Sequence, residues 1–425
     1  MQKRPFRTVT LQGTQILVEP LPHVRSCSVG FWVKRGSCGE GPEEEGLAHF
    51  IEHTVFKGTE TFPDPQAMAE ATDRLGGNVD AFTGKESACF YGKVLREQLP
   101  ALVELLGELV TTPRFQEDEL ARERQVILEE INQSEDQPDD WVSELFYGHF
   151  WAGGTLAHPI LGTRDQVAGY GHAQAQAFFR KTYRAPNLLI AAAGDLQPEP
   201  FLDLVRPILA RLPEGAEPAP PRPNRPQAFL LNVPRRELQQ VSLVMGFPAF
   251  PHQHPDRSAL NLLSFVLGGG MASRLFMELR EKQALCYQVG AYLSQYGDTG
   301  ALQIAASCAP ERAQELVRRT VRECARLRRE GVGADELERA KLQLRTSLVL
   351  NQESVSNHMF ALAHQAIHMD RWRSLDEQIR EIDQVDLDQV RRVAQAVLQP
   401  EAFGVSALGT GRGTGIRHRD LADGL

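Results

Sequence analysis

Apolar positions along the chain recur with two periods, two for strands and between three and four for helices, and the switches between them mark out elements. Near the start, Gln15-Ile16-Leu17-Val18 and Ser28-Val29-Gly30-Phe31-Trp32-Val33 read as strands. A helix is expected through Leu47–Val55, and another from Pro65 to a stop at Gly76-Gly77. Leu120, Ile127 and Ile131 fall at helical spacing within 117–133. Further on, Gln240–Met245 reads as a strand, Ser258–Leu267 as a helix, Ser273–Glu281 as a second helix and Cys286–Leu293 as a strand. The order of element types recurs although the residues do not. The pattern therefore predicts a duplicated α+β unit, each copy a mixed, mainly antiparallel sheet backed by helices. The proline-rich stretch 213–226 suits neither helix nor central strand and is expected to be a semi-rigid linker. It would separate an N-terminal domain, 1–212, from a C-terminal one, 227–425. The last fifteen residues, Gly411–Leu425, are glycine-rich and polar and are expected to fray.

Bulk properties narrow the function. A chain of 425 residues exceeds one ordinary core, in keeping with two domains. A net charge of −9 and a pI near 5.8 argue against a nucleic-acid partner, because phosphate binding favours a basic face. No run of 18 apolar residues is present, so no membrane partner is expected. The basic start, Met1 to Arg7, is not followed by an apolar run, and a signal peptide is not expected. The six cysteines are scattered with no CxxC, which suggests reduced thiols and a cytoplasmic protein.

Candidate chemistry is concentrated in 46–59, Gly-Leu-Ala-His-Phe-Ile-Glu-His-Thr-Val-Phe-Lys-Gly-Thr. On a helix His49 and His53, four apart, share a face and can place two imidazoles on one zinc ion. Glu52 lies beside them, placed to take a proton from water rather than to ligate. This HxxEH spacing is the inverzincin signature. Two histidines leave zinc one protein ligand short. Within 117–133, Glu123 and Glu130 are seven apart and share a helix face near the apolar stripe, an expensive position for carboxylates unless a cation compensates. Glu129, about 100° round the helix, is the alternative ligand.

With these residues in view, the sequence resembles the pitrilysin and mitochondrial processing peptidase family in its shorter two-domain form. The resemblance implies that Glu130 is the third ligand, with Glu123 supporting it. It implies that residues 76–91 hold the strand beside the metal, whose exposed edge would pair with an extended peptide; Asn78, Ala81 and Phe82 are the candidates there. It also implies that Arg280 and Tyr287, seven apart, reach the site from the second half and help stabilise an oxyanion. On the residues alone, Arg280 would be a surface residue and Tyr287 part of a core. The run Gly268-Gly269-Gly270-Met271 lacks the phosphate-binding patterns and reads as a flexible helix connection.

The expectation is thus a zinc-dependent endopeptidase acting on unfolded peptides or presequences between clamshell-like halves. The alternative is a noncatalytic scaffold or a partner-dependent subunit. Both residue sets are present, so a homodimer would be an addition rather than a requirement. A second histidine pair, His364 and His368, has no carboxylate at catalytic spacing and is set aside.

Overall fold

The computed structural model describes residues 6–215, 223–369, 371–410 and 415–422. These form two compact units. The first takes the described residues up to Asn132, those from His158 to the proline-rich stretch, and Asn351–Trp372. The second takes Gln133–Ala157, Pro223–Leu350 and the described residues from Arg373 onward.

The first unit is built on six strands: β1 (Arg7–Leu11), β2 (Thr14–Pro20), β3 (Ser26–Val33), β4 (Asn78–Thr83), β5 (Ala88–Leu95) and β6 (Leu188–Gly194). Their order is β1-β2-β6-β3-β5-β4, antiparallel except for β2 beside β6. β3 and β6 are buried along nearly their whole length, as strands must be when both sheet faces are covered. One face shares a single apolar cluster with α1 (Leu47–Val55), α2 (Pro65–Arg74), α3 (Leu99–Thr111) and α4 (Glu117–Asp136). On the other face Leu17, Trp32, Leu189 and Ala191 pack against Val355, Met359 and Leu362 of the helix Val355–His368. Burying each leucine, valine or methionine of that set contributes about 1.5–3 kcal/mol. His358 on that helix bonds through Nδ1 to Glu19 Oε2 at 3.1 Å and through Nε2 to the Gln352 carbonyl at 3.0 Å.

The second unit repeats the plan with β7 (Phe229–Pro234), β8 (Val241–Ala249), β9 (Cys286–Gln295), β10 (Gly300–Cys308) and β11 (Gly404–Gly409). Its order, β7-β11-β8-β10-β9, matches β2-β6-β3-β5-β4 strand for strand, including the one parallel pair. The duplicated α+β architecture expected from the pattern is therefore present.

The boundaries are less simple than a division at the prolines. The helix α5 (Pro138–Phe150) belongs to the second unit. There Phe146 and Phe150 stack at 4.8 Å, and Asp139 Oδ1 accepts hydrogen bonds from Ser242 Oγ (2.8 Å) and Ser307 Oγ (3.2 Å). Conversely, Val355–His368 belongs to the first. Each sheet has two apolar faces to cover, and in both units one cover comes from the opposite half of the sequence.

Of the expected linker, residues 216–222 lie outside the described residues. Its end is packed rather than loose: Asn224 is buried, donating its N–H to Asp298 (2.7 Å) and accepting from the Leu156 N–H (2.9 Å). Within the expected tail, 411–414 and 423–425 lie outside the described residues. The remainder is folded: His418–Ala422 is helical, and Ile416 and Asp420 are buried. The helix expected over Ser273–Glu281 becomes a π-helical turn at Phe276–Lys282. Among the described residues no helix is long and apolar enough to cross a membrane.

Candidate metal centre

α1 forms because Leu47, Phe50, Ile51 and Val55 recur on one face and are buried in the first unit's core. That leaves His49, Glu52 and His53 on another. Its N-cap, Gly46, has φ 89° and no side chain to satisfy the first N–H groups. A Cβ there would lie 2.7 Å from Gly162 Cα, so both the conformation and the space call for glycine. The missing cap is supplied from outside the helix. Glu40 accepts from the Gly46 N–H (2.9 Å) and the Ala48 N–H (2.7 Å), and its burial pushes the carboxyl up to about 8. Nothing in the spacing around Glu40 signals this role.

α4 faces α1 with Leu120, Glu123, Ile127 and Ile131 on its buried stripe. Three ligand atoms from the two helices converge: one each from His49, His53 and Glu130, all within 4.8 Å of one another. Glu130 Oε2 lies 3.7 Å from His49 Nε2 and 3.6 Å from His53 Nε2. These separations are long for hydrogen bonds. They fit donor atoms sharing a zinc ion, since bonds of about 2.0–2.2 Å in a tetrahedron put ligands roughly 3.3–3.6 Å apart. Glu129 is exposed and outside the cluster.

The surrounding groups prepare these donors. Burial, with a smaller contribution from His53, holds His49 down to about 3, so its imidazole is neutral, as a ligand must be. His49 Nδ1 is buried and makes no hydrogen bond among the described residues. Glu123 takes His53 Nδ1 on Oε2 at 3.1 Å and Lys57 Nζ on Oε1 at 2.8 Å. Burial opposes its ionisation, but these two partners outweigh burial and keep the carboxyl below its ordinary range. The same contact directs His53 Nε2 towards Glu130. Burial likewise works against a charged His53, yet the Glu123 hydrogen bond and the neighbouring carboxylates raise it. Glu52 is raised by burial, opposed by a hydrogen bond from Thr83.

The remaining candidates fall in two places. Asn78, Ala81 and Phe82 lie on β4, which among the described residues pairs with β5 alone, leaving its other edge without a strand. Asn78 and Phe82 are exposed on one face while Ala81 packs inward, so their shared feature is backbone rather than a common surface. In the second unit, Arg280 Cζ sits 4.6 Å over the Phe276 ring and 4.9 Å over the Tyr287 ring. Tyr287 is 76% exposed on the edge strand β9, so the core placement expected from its residue type alone fails. A cavity of about 670 Å³ beside it is lined by Asp139, Asp140, Arg280, Tyr287 and Ser307 among others. The set-aside His368 has a carboxylate neighbour that spacing did not reveal, Glu86, with Oε2 3.4 Å from Nδ1.

Known proteins match at every level. Residues 15–164 match the model of the insulinase family (peptidase family M16), and 171–344 match the peptidase M16 inactive domain. An uncharacterized zinc protease of Mycobacterium tuberculosis is 35% identical over 409 residues, covering 95% of this chain and 93% of that protein. One of Bacillus subtilis is 34% identical over 383 residues, covering 90% and 93%. Among solved structures, a protease from Helicobacter pylori superposes with a TM-score of 0.90 at 23% identity, covering 95% of this chain and 99% of that one. That likeness bears on the fold. With zinc proteases as relatives and a fitting two-histidine, one-carboxylate donor set, the cofactor is Zn²⁺. The chain belongs to peptidase family M16, the insulinase or pitrilysin family of zinc metallopeptidases.

Proposed function

We propose that the protein is a zinc-dependent endopeptidase that hydrolyses unfolded peptides or presequences bound as an added strand along β4. The observation that carries this reading is Glu52 standing beside a complete donor set, with its carboxylate held but not consumed by a ligand role. Bound zinc supplies Lewis acidity, polarising the scissile carbonyl and making a water easier to deprotonate. Glu52 takes that proton during attack and returns it to the leaving amine. Its raised affinity for a proton, a consequence of burial, suits both halves of the exchange. The free edge of β4 supports main-chain pairing near Asn78, Ala81 and Phe82, which would select extended, unfolded substrates. The family resemblance assigns Arg280 and Tyr287, which stack on one another in the second unit, to holding a peptide carbonyl. The six free, buried thiols support a reducing compartment, the cytoplasm.

The test is cleavage of an unstructured peptide mixture by purified protein, with chelator and after zinc is restored. Cutting that stops with chelator and returns with zinc supports the proposal. One zinc per chain with no peptide cut would move the protein to the scaffold or partner-dependent class.

A further inference from the structure

Thr83, the last residue of β4, has no part in the scheme above, yet its hydroxyl donates a hydrogen bond of 2.5 Å to Glu52 Oε2. β4 alternates cleanly. Val79, Ala81 and Thr83 are turned inward, the first two against the core that includes α1, while Asn78, Asp80 and Phe82 are exposed. The strand's end is rigidly mounted. Thr83 pairs with Ala88, the Gly84 N–H donates to the Ser87 carbonyl (2.8 Å), and the carbonyls of Gly84 and Lys85 accept from the N–H groups of Ser37 (3.1 Å) and Cys38 (2.8 Å).

A short hydroxyl–carboxylate bond is among the stronger hydrogen bonds, and a β-branched donor has little rotamer freedom. Thr83 therefore fixes one oxygen of Glu52, while Oε1 makes no hydrogen bond among the described residues.

We propose that Thr83 is the positioning residue for the general base, holding Glu52 Oε2 so that Oε1 faces the attacking water. This rests on Glu52 being the base. It goes further in tying that base to β4, the strand whose free edge would receive the peptide. Substrate pairing and base alignment then share one mechanical element, and a peptide that displaces β4 displaces Glu52 with it.

The experiment compares wild type, Thr83→Val, Thr83→Ser and Glu52→Gln on one unstructured peptide, measuring kcat, KM and bound zinc. Thr83→Val keeps the shape and removes the donor; kcat should fall about 10-fold or more, with KM within about twofold and zinc still one per chain. Thr83→Ser restores the donor and should recover most of kcat. The proposal is overturned if Thr83→Val leaves kcat unchanged while Glu52→Gln is inactive, if Val and Ser lose equally, or if the loss lies only in KM. Should Thr83→Val fail to fold, Thr83→Ala is judged by the same kcat criterion. If Glu52→Gln turns over like wild type, the peptidase mechanism itself falls and this inference with it.

Discussion

The same slot in the two units is filled in opposite ways. Between β3 and β4 of the first sheet stands α1, amphipathic, with His49, Glu52 and His53 on its polar face. Between the corresponding strands of the second, β8 and β9, stands the helix Arg257–Gly268. There Ala259, Leu260, Leu262, Leu263, Val266 and Leu267 are all buried, and no histidine or carboxylate lies within the helix. The architecture thus demands a helix in this position but not its chemistry. One copy presents two histidines and a carboxylate that could serve a metal site; the other, with eight of its twelve residues buried, presents neither. In the second unit the notable polar pair, Arg280 and Tyr287, has moved to the π-helical turn and the edge strand that follow.

If this division is right, substitutions in the two slots should fail differently. Glu130→Gln removes a zinc donor and should abolish stoichiometric zinc; losing several kcal/mol of transition-state stabilisation means a fall in turnover of roughly 10³-fold. Metal analysis and peptide cleavage on the same preparation would check both. Leu263→Ala, in the packing-only helix, should cost about 2–5 kcal/mol in denaturant unfolding while zinc stays bound. Zinc loss in that variant, without unfolding, would break the comparison. Tyr287→Phe should leave both zinc and stability untouched and lower kcat/KM by about 10-fold, read on an unstructured peptide.

The smallest effect concerns the helices that cover the sheets. Val355–His368 is tied to β2 by a titratable pair, His358 and Glu19, whereas α5 is tied to β8 and β10 by serine hydroxyls on Asp139. The Glu19 hydrogen bond raises His358 above its ordinary value. A raised histidine stabilises the fold fully below the unfolded value, about 6.5, and that contribution is lost as pH rises through the folded value. His358→Gln should therefore be destabilised by about 1 kcal/mol at pH 6, with the gap to wild type closing as the pH is raised. Equal destabilisation at every pH would mean the imidazole acts through packing alone.

Much of this was legible in the sequence, and the gaps have physical causes. The helix over Leu47–Val55 and its HxxEH face follow from spacing, because ligands on one helix obey the helical period. Glu123 could be singled out as a carboxylate on an apolar stripe, but choosing Glu130 over Glu129 needed the family resemblance. Thr83 and Lys57 were missed because each meets its partner through tertiary packing, and Glu40 because it meets Gly46 and Ala48 through a loop with no period to read. Val142, Phe146 and Phe150 announce a buried helix without saying which sheet it covers, and so the exchanged segments were invisible. Over 415–422 the tail was misread on its polar character, although Ile416 and Leu421, both packed on the second unit's core, were the signal that this part folds back.

One comparison decides the catalytic reading: turnover of an unstructured peptide by wild type and Glu52→Gln, each with its bound zinc measured. Both proteins should hold one zinc per chain, and the variant should be slower by about 10²-fold or more. Equal turnover by the two at equal zinc content would contradict Glu52 as the base, and with it the mechanism built on this centre.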